Sequence, residues 1–433
     1  MFEKYDIKNK LHKLVKTGFF SIFISNVFSK VIVFLGGIII VRILSKEDYG
    51  IYSYIVNCIA MLCILEDFGA SNATMQLLNE ENDNLTRKKA FLKYGIKMGL
   101  LASLISVILI MLSPWFYPFT IEEARKLTPI LFLMPVLTTI YSFINAVLRS
   151  NLKNTRFAIV QIVATVAHYV YIIPLILVFG VFGGIISQYF TYATILIIGI
   201  IVSYKYFIIK GKEENLSKSE KSGFLKLALA TQFNNAIDKL LIILDVFLIG
   251  LLISNSEQIA NYKTATIIPQ AIGFLPACVA MYIVPYFVRN NKNYKWIKKN
   301  YNRLIRYGMA FYGIITLMLF MFAKFIVTIV FGTQYIESVT IFRILIIGFF
   351  FSATYKIPTS NILYTMRKVR FNIIITTISG IVKLIFNILF INKFGIIGAA
   401  ITTTGVMILN SIISRIYFMK SIKEGVKNEK NSS

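Results

Sequence analysis

Long apolar runs return along this chain about every 30 residues from Phe19 to Met419, and each supplies the ~20 residues a helix needs to cross a bilayer. Short polar stretches rich in lysine separate them. The pattern predicts twelve spans, at 17–42, 49–77, 94–118, 127–148, 157–179, 181–204, 224–252, 260–288, 304–331, 339–364, 371–391 and 395–419. Pro129, Pro135, Pro174, Pro269, Pro276, Pro285 and Pro358 fall inside spans, where each removes a backbone hydrogen bond and permits bending. Three of them share the eighth span, the best candidate for a hinge.

Charge orients these helices. With the N-terminus in the cytoplasm, 33 of the 46 Lys and Arg fall in inside segments, six in outside loops and seven within spans. One miscounted helix would scramble that bias, so the distribution predicts an even number of spans with both termini cytoplasmic. Composition agrees, with 57% of residues hydrophobic and 15% charged. The formal charge of +26 does not imply nucleic acid, because the bases flank membrane ends in short loops, where anionic lipid headgroups account for them. The Lys-rich stretch before Phe19 is followed by an apolar segment too long for a signal peptide and without a cleavage site. It reads as a retained first helix, preceded by a short interfacial one with Phe2, Ile7, Leu11 and Leu14 on its apolar side. Cys58, Cys63 and Cys278 lie in predicted spans with no zinc or disulfide spacing and read as packing residues.

The one long polar interruption, Lys210 to Gly223, divides the chain into an N-lobe at 1–209, a cytoplasmic linker at 210–223, a C-lobe at 224–420 and a cytoplasmic tail at 421–433. The halves echo each other. Arg156-Phe157 returns as Arg370-Phe371, and Phe179-Gly180-Val181-Phe182-Gly183-Gly184 as Phe394-Gly395-Ile396-Ile397-Gly398-Ala399. Gly50 to Ile55 is loosely echoed by Ala260 to Ala265. The fold class expected is therefore all-α integral membrane, twelve transmembrane helices in two six-helix lobes related by a pseudo-two-fold along the membrane normal, with a central cavity between them.

Ionisable groups inside the spans mark the candidate chemistry. A charge at the bilayer centre costs about 2.5–3.5 kcal/mol on insertion scales, so such groups face protein or water. Lys30, His168, Asp238, Lys239, Lys356 and Lys383 all lie in mid-span, and Asp245 follows Asp238 on the seventh helix. Polar stripes at helical spacing accompany them: Asn372, Thr376, Ser379, Lys383 and Asn387; Ser25, Asn26, Ser29 and Lys30; Gln161, Thr165 and His168; Gln232, Asn235 and Lys239. The repeat aligns Lys30 with Lys239 and His168 with Lys383. These groups could neutralise one another, for instance Lys30 with Asp238. Counted together, four lysines and a histidine face only Asp238 and Asp245, with Glu66 and Asp67 nearer the cytoplasmic end. A surplus of buried cations needs an anion, and the cargo is the natural one.

Motifs in order along the chain carry a family resemblance. Arg42-Ile43-Leu44-Ser45-Lys46-Glu47-Asp48-Tyr49-Gly50-Ile51-Tyr52 looks like a first outside turn, Asp67-Phe68-Gly69 like a helix 2 motif, and Asp245-Val246-Phe247-Leu248-Ile249-Gly250 with Tyr262 like a helix 7 signature. Phe331-Gly332 with Tyr335, and the Phe394 to Ala399 turn, match later ones. In these the chain resembles, over roughly 15–420, the bacterial polysaccharide flippases within the multidrug and oligosaccharidyl-lipid exporter superfamily. Lys239 and Lys383 belong to none of these motifs, and their role rests on the charge argument.

The resemblance implies a V-shaped, MATE-like transporter of the bacterial cytoplasmic membrane. It would turn an undecaprenyl-pyrophosphate-linked oligosaccharide from the inner to the outer leaflet by alternating access, as a transporter and not an enzyme, with no cofactor and no oligomer required. Lys30 and Lys239 are expected to hold the pyrophosphate, supported by Lys383, His168 and Lys356, with Asn26 and Asn235 beside them. Asp238 or Asp245 is the expected route for proton or sodium coupling. Membrane lipids are the other expected partner. The rivals are a cation-coupled drug or metabolite exporter of the same superfamily, disfavoured by the lysines, and a membrane glycan polymerase or acyltransferase. The latter needs an outer loop or paired catalytic groups that the sequence does not offer.

Overall fold

A helix whose solvent is hydrocarbon turns its large apolar residues outward and its small ones inward, the reverse of a helix in water. Helix Leu85–Phe116 is built this way: Leu101, Leu104, Ile105, Ile108 and Leu112 are exposed, while Gly95, Gly99, Ala102, Ser103, Ser106 and Ser113 are buried. A Cβ on Gly99 would lie 2.7 Å from the Phe143 ring, so this glycine sets how closely the neighbouring helix approaches.

The computed structural model describes residues 19–81, 84–209, 214–291, 293–366 and 368–431. The interfacial helix expected before Phe19 and the first residues of the linker lie outside them. Among the described residues the chain is helical without strands: α1 Phe19–Ile43, α2 Lys46–Leu62, α3 Ala70–Glu80, α4 Leu85–Phe116, α5 Glu122–Leu127, α6 Met134–Ser150, α7 Asn154–Phe207, α8 Lys218–Ile253, α9 Ser256–Ile272, α10 Phe274–Arg289, α11 Tyr294–Met321, α12 Ala323–Val330, α13 Ser338–Phe351, α14 Ile357–Thr365 and α15 Val369–Asn431. Seven stretches are long and apolar enough to cross a membrane, eight if the bent pair Glu122–Leu131 with Met134–Ser150 counts as one span. The protein is a multi-pass, all-helical membrane protein.

Two compact units divide at Met1–Lys239 and Leu240–Ser433, a boundary that falls inside α8. In the first, Phe91, Phe143, Phe224 and Ala228 form a core that also buries Leu216 of the linker. In the second, Phe287, Ile297, Tyr301, Leu363 and Phe418 do the equivalent work.

At 54 and 63 residues, α7 and α15 would each run for more than ~80 Å if straight, well over twice the ~30 Å hydrocarbon layer. Each folds back at a glycine in the left-handed region, Gly180 at φ 56° and ψ −136° and Gly395 at φ 59° and ψ −143°. Three residues on, a Cβ at Gly183 would run into the Leu175 carbonyl and one at Gly398 into that of Phe390. The echo read from the sequence is thus one hairpin made twice. The helix starts repeat as well: Ser45 accepts the Asp48 N–H at 3.0 Å and Asn255 accepts that of Gln258 at 3.0 Å.

Five expected spans are not continuous helices, and two of them divide in short steps, the one at 127–148 by a bend at Phe132–Leu133 and the one at 304–331 by a break at Phe322. The span at 49–77 is interrupted from Cys63 to Gly69, because Phe68 at φ 45° and Gly69 at φ 76° cannot propagate a right-handed helix. The eighth span divides at Gly273 into α9 and α10. The tenth is joined by a wide π turn at Ser352–Lys356, between α13 and α14.

Candidate functional site

The interrupted second span organises the polar groups of the first unit. Asp67, buried, accepts the N–H groups of Gly69 at 2.9 Å and Ser71 at 3.1 Å and so caps the start of α3. Gln232 of α8 donates to the carbonyl of Ile64 at 2.6 Å, satisfying one of the backbone groups that the interruption frees. Glu66 is left facing other spans. Its Oε2 accepts the Thr138 hydroxyl at 2.8 Å, and its Oε1 lies 3.5 Å from Lys239 Nζ. Lys239 keeps 51% of its side chain exposed while Glu66 keeps 17%, so the ammonium is only partly claimed.

Helices α1 and α7 meet through a second polar contact, Thr165 Oγ1 donating to Ser29 Oγ at 3.1 Å. Gln161, one turn earlier, accepts the Tyr141 hydroxyl at 2.7 Å. His168 lies one turn beyond Thr165, half-buried, its ring edge-on to Tyr169 at 4.9 Å. Lys30, next to Ser29, is exposed and has no ion-pair or hydrogen-bond partner among the described residues, and Asn26, one turn before it, is exposed too. The same amide and ammonium spacing occurs on α8 as Asn235 and Lys239, both exposed, 209 residues further along. Asp238 is exposed, and no described contact joins it to Lys30.

The second unit holds a closed network instead. Asp245 Oδ2 receives Lys383 Nζ at 2.9 Å, the Tyr262 hydroxyl at 2.7 Å and the Thr403 hydroxyl at 2.9 Å, while Oδ1 receives the Asn387 amide at 2.8 Å. Lys383 also donates to the carbonyl of Leu241 at 2.6 Å. Both charged side chains are almost fully buried, at 6% and 7% exposed. A buried ion pair survives only with this kind of hydrogen-bonded surround. Lys356 lies half-buried in the π turn and is also engaged.

The expected site residues therefore divide. The first unit carries Asn26, Lys30, His168, Asn235, Asp238 and Lys239, on α1, α7 and α8, and joins Lys239 to Glu66. Asp245 and Lys383 meet each other in the second. The polar stripe of the eleventh span found Lys383 and Asn387. Thr403, in the run Thr402-Thr403-Thr404, carried no periodic signal, and Glu66 gains its role only through the interruption that turns it toward Lys239.

Comparison with known proteins bears on this arrangement. A family model described as "Polysaccharide biosynthesis protein" matches residues 15–291. A putative O-antigen transporter of Shigella flexneri is 25% identical over 181 residues, which is 42% of this chain and 43% of that protein. Among solved structures, the lipid II flippase MurJ in an inward closed conformation matches with a TM-score of 0.76 at 18% identity, covering 93% of this chain and 87% of that one. An inward-facing multidrug resistance transporter of the MATE family, in the MOP superfamily, matches with a TM-score of 0.72 at 14% identity, covering 92% of this chain and 96% of that one. The fold is MATE-like, and these three proteins are named as transporters and a flippase, not enzymes.

Proposed function

This chain belongs to the polysaccharide biosynthesis protein family, and on that premise we propose that it flips an undecaprenyl-pyrophosphate-linked oligosaccharide, an O-antigen, capsule or similar repeat unit, from the inner to the outer leaflet of the bacterial cytoplasmic membrane. The seven strongly apolar stretches, the second arms of α7 and α15, the α5–α6 pair, the α2–α3 pair and α8 make twelve spans, six to a lobe, with both termini cytoplasmic. In this reading the N-lobe is 1–209 and the C-lobe 224–420, and transport proceeds by alternating access.

One observation carries the reading. Asn26 with Lys30, and Asn235 with Lys239, place an exposed amide and an exposed ammonium one turn apart at matching positions of two apolar helices. Left facing hydrocarbon, each ammonium would cost roughly 2.5–3.5 kcal/mol, whereas a pyrophosphate recovers that cost through charge-assisted hydrogen bonds. The amides are suited to phosphate oxygens or sugar hydroxyls. His168 and Lys356 support them. Lys383 is already held by Asp245, so in this reading its charge serves the second unit and not the cargo, and coupling to protons or sodium falls to Asp238. A drug exporter for cationic cargo would need carboxylates where these lysines stand.

The test is transport of the lipid-linked repeat unit by Lys30→Ala, Lys239→Ala and the double variant, in cells lacking the native protein and in proteoliposomes. Each single change is expected to slow flipping about tenfold or more, the equivalent of one lost charge-assisted bond of about 1.5–3 kcal/mol, with partial rescue by arginine. Wild-type flipping by a normally abundant double variant would rule the site out.

A further inference from the structure

The groups gathered at Asp245 are of the kinds that hold a metal ion, yet the positive charge among them is the chain's own. Two carboxylate oxygens, the hydroxyls of Tyr262 and Thr403, the carbonyl of Leu241 and the amide of Asn387 converge from α8, α9 and both arms of α15. Carboxylate, carbonyl and hydroxyl oxygens are what hard cations take. Lys383 Nζ bridges two of them, 2.9 Å from Asp245 Oδ2 and 2.6 Å from the Leu241 carbonyl, as a bound ion would. Asn387 Oδ1 is buried and has no hydrogen-bond partner among the described residues. An ammonium has three N–H donors, fewer than the oxygens assembled here.

We infer that the Asp245 centre is a monovalent-cation site occupied by the Lys383 ammonium as a tethered counter-ion, so that neither sodium nor potassium binds there. Tethering holds the cation at a high effective concentration without an entry path, and it leaves the carboxylate no net charge with which to attract a second ion. The inference concerns the counter-ion and stands whatever cargo is carried. Transport by the Lys30 and Lys239 variants tests the cargo site, and the cation response tests this one.

The experiment compares the full-length protein, Lys383→Ala and the neutral pair Asp245→Asn with Lys383→Met, each purified in choline chloride and titrated with sodium, potassium or methylammonium. Melting temperature and equilibrium binding of radioactive sodium are measured. The wild type and the neutral pair should show the same cation response, since any sodium held at Asp238 is common to both, and Lys383→Ala should gain a further saturable one, its folded-to-unfolded ratio rising about 100-fold at a cation concentration 100 times its Kd. Methylammonium should restore that variant as well. Sodium binding by the wild type that the neutral pair abolishes would overturn the inference. So would a folded Lys383→Ala indifferent to all three cations. If that variant cannot be purified, the wild-type arm against the neutral pair still decides.

Discussion

Replacing glycine by alanine at three points of the helical hairpins separates what the backbone forbids from what a side chain merely resists. Gly183 and Gly199 both have ordinary helical backbone within α7, so each gains roughly 1 kcal/mol of helix propensity on becoming alanine. Their surroundings differ. A Cβ at Gly183 would overlap the carbonyl oxygen of Leu175, main chain in the opposite arm of the hairpin, and would meet the Ile176 nitrogen at 3.1 Å. One at Gly199 would meet only the side chain of Ile144, with Cδ1 at 2.9 Å and Cγ2 at 3.3 Å, which a change of rotamer can move. Clearing the Leu175 carbonyl means parting two packed arms by about an ångström, an overpacking cost at the upper end of the usual 1–3 kcal/mol or above it. The net expectation is a loss of about 2 kcal/mol or more for Gly183→Ala and a change within about 1 kcal/mol of zero for Gly199→Ala. Gly398→Ala, facing the Phe390 carbonyl in the second unit, should match Gly183→Ala.

Melting of the purified full-length variants in one detergent measures the contrast, expected at roughly 4 °C or more between the two α7 variants. Equal shifts for Gly183→Ala and Gly199→Ala, or a harmless Gly398→Ala beside a damaging Gly183→Ala, would refute the reasoning. The first outcome would mean that the arms are not held so close, and the second that the two hairpins are not equivalent.

Two further outcomes follow from the helix ends. The repeated caps should be equally costly, so Ser45→Ala and Asn255→Ala are each expected to lower stability by about 1 kcal/mol, and a clear loss in one with none in the other would contradict the repeat. At the start of α8 the Glu220 carboxyl is held below its usual range, first by the main-chain N–H and hydroxyl of Ser217 and then by Arg87, which also pairs with Glu81. A carboxyl with a depressed folded pKa contributes stability that is complete at neutral pH and vanishes as pH falls through that pKa. Wild type should therefore melt above Glu220→Gln at pH 7, and the gap should close below about pH 4; a gap that widens in acid would sink this account.

Legibility in the sequence followed the range of the forces involved. The hairpins at Gly180 and Gly395 were visible as repeated glycine patterns because a left-handed turn and a close main-chain crossing are satisfied within about eight residues. Periodicity likewise placed Asn26 with Lys30 and Asn235 with Lys239 on shared faces, since a face is a local property. It could not say what stands opposite that face. Lys383 and Asp245 are 138 residues apart in sequence, and a count of charges treated them as surplus and acceptor without showing that they touch. The interruption at Cys63–Gly69 was hidden for a different reason: Ile64, Leu65 and Phe68 keep the segment apolar, so hydropathy runs straight through a place where the dihedrals of Phe68 and Gly69 stop the helix.

The divergence between equivalent positions explains why the same fold element ends in opposite electrostatic states. His168 and Lys383 lie 215 residues apart, at the same distance before their hairpin glycines. What differs is the opposing helix. The position on α1 that corresponds to Asp245, at the offset relating Lys30 to Lys239, is Gly36, where a Cβ would overlap the Tyr169 ring. The first unit thus packs an aromatic ring against glycine at that position, while the second sets a carboxylate there and neutralises its lysine.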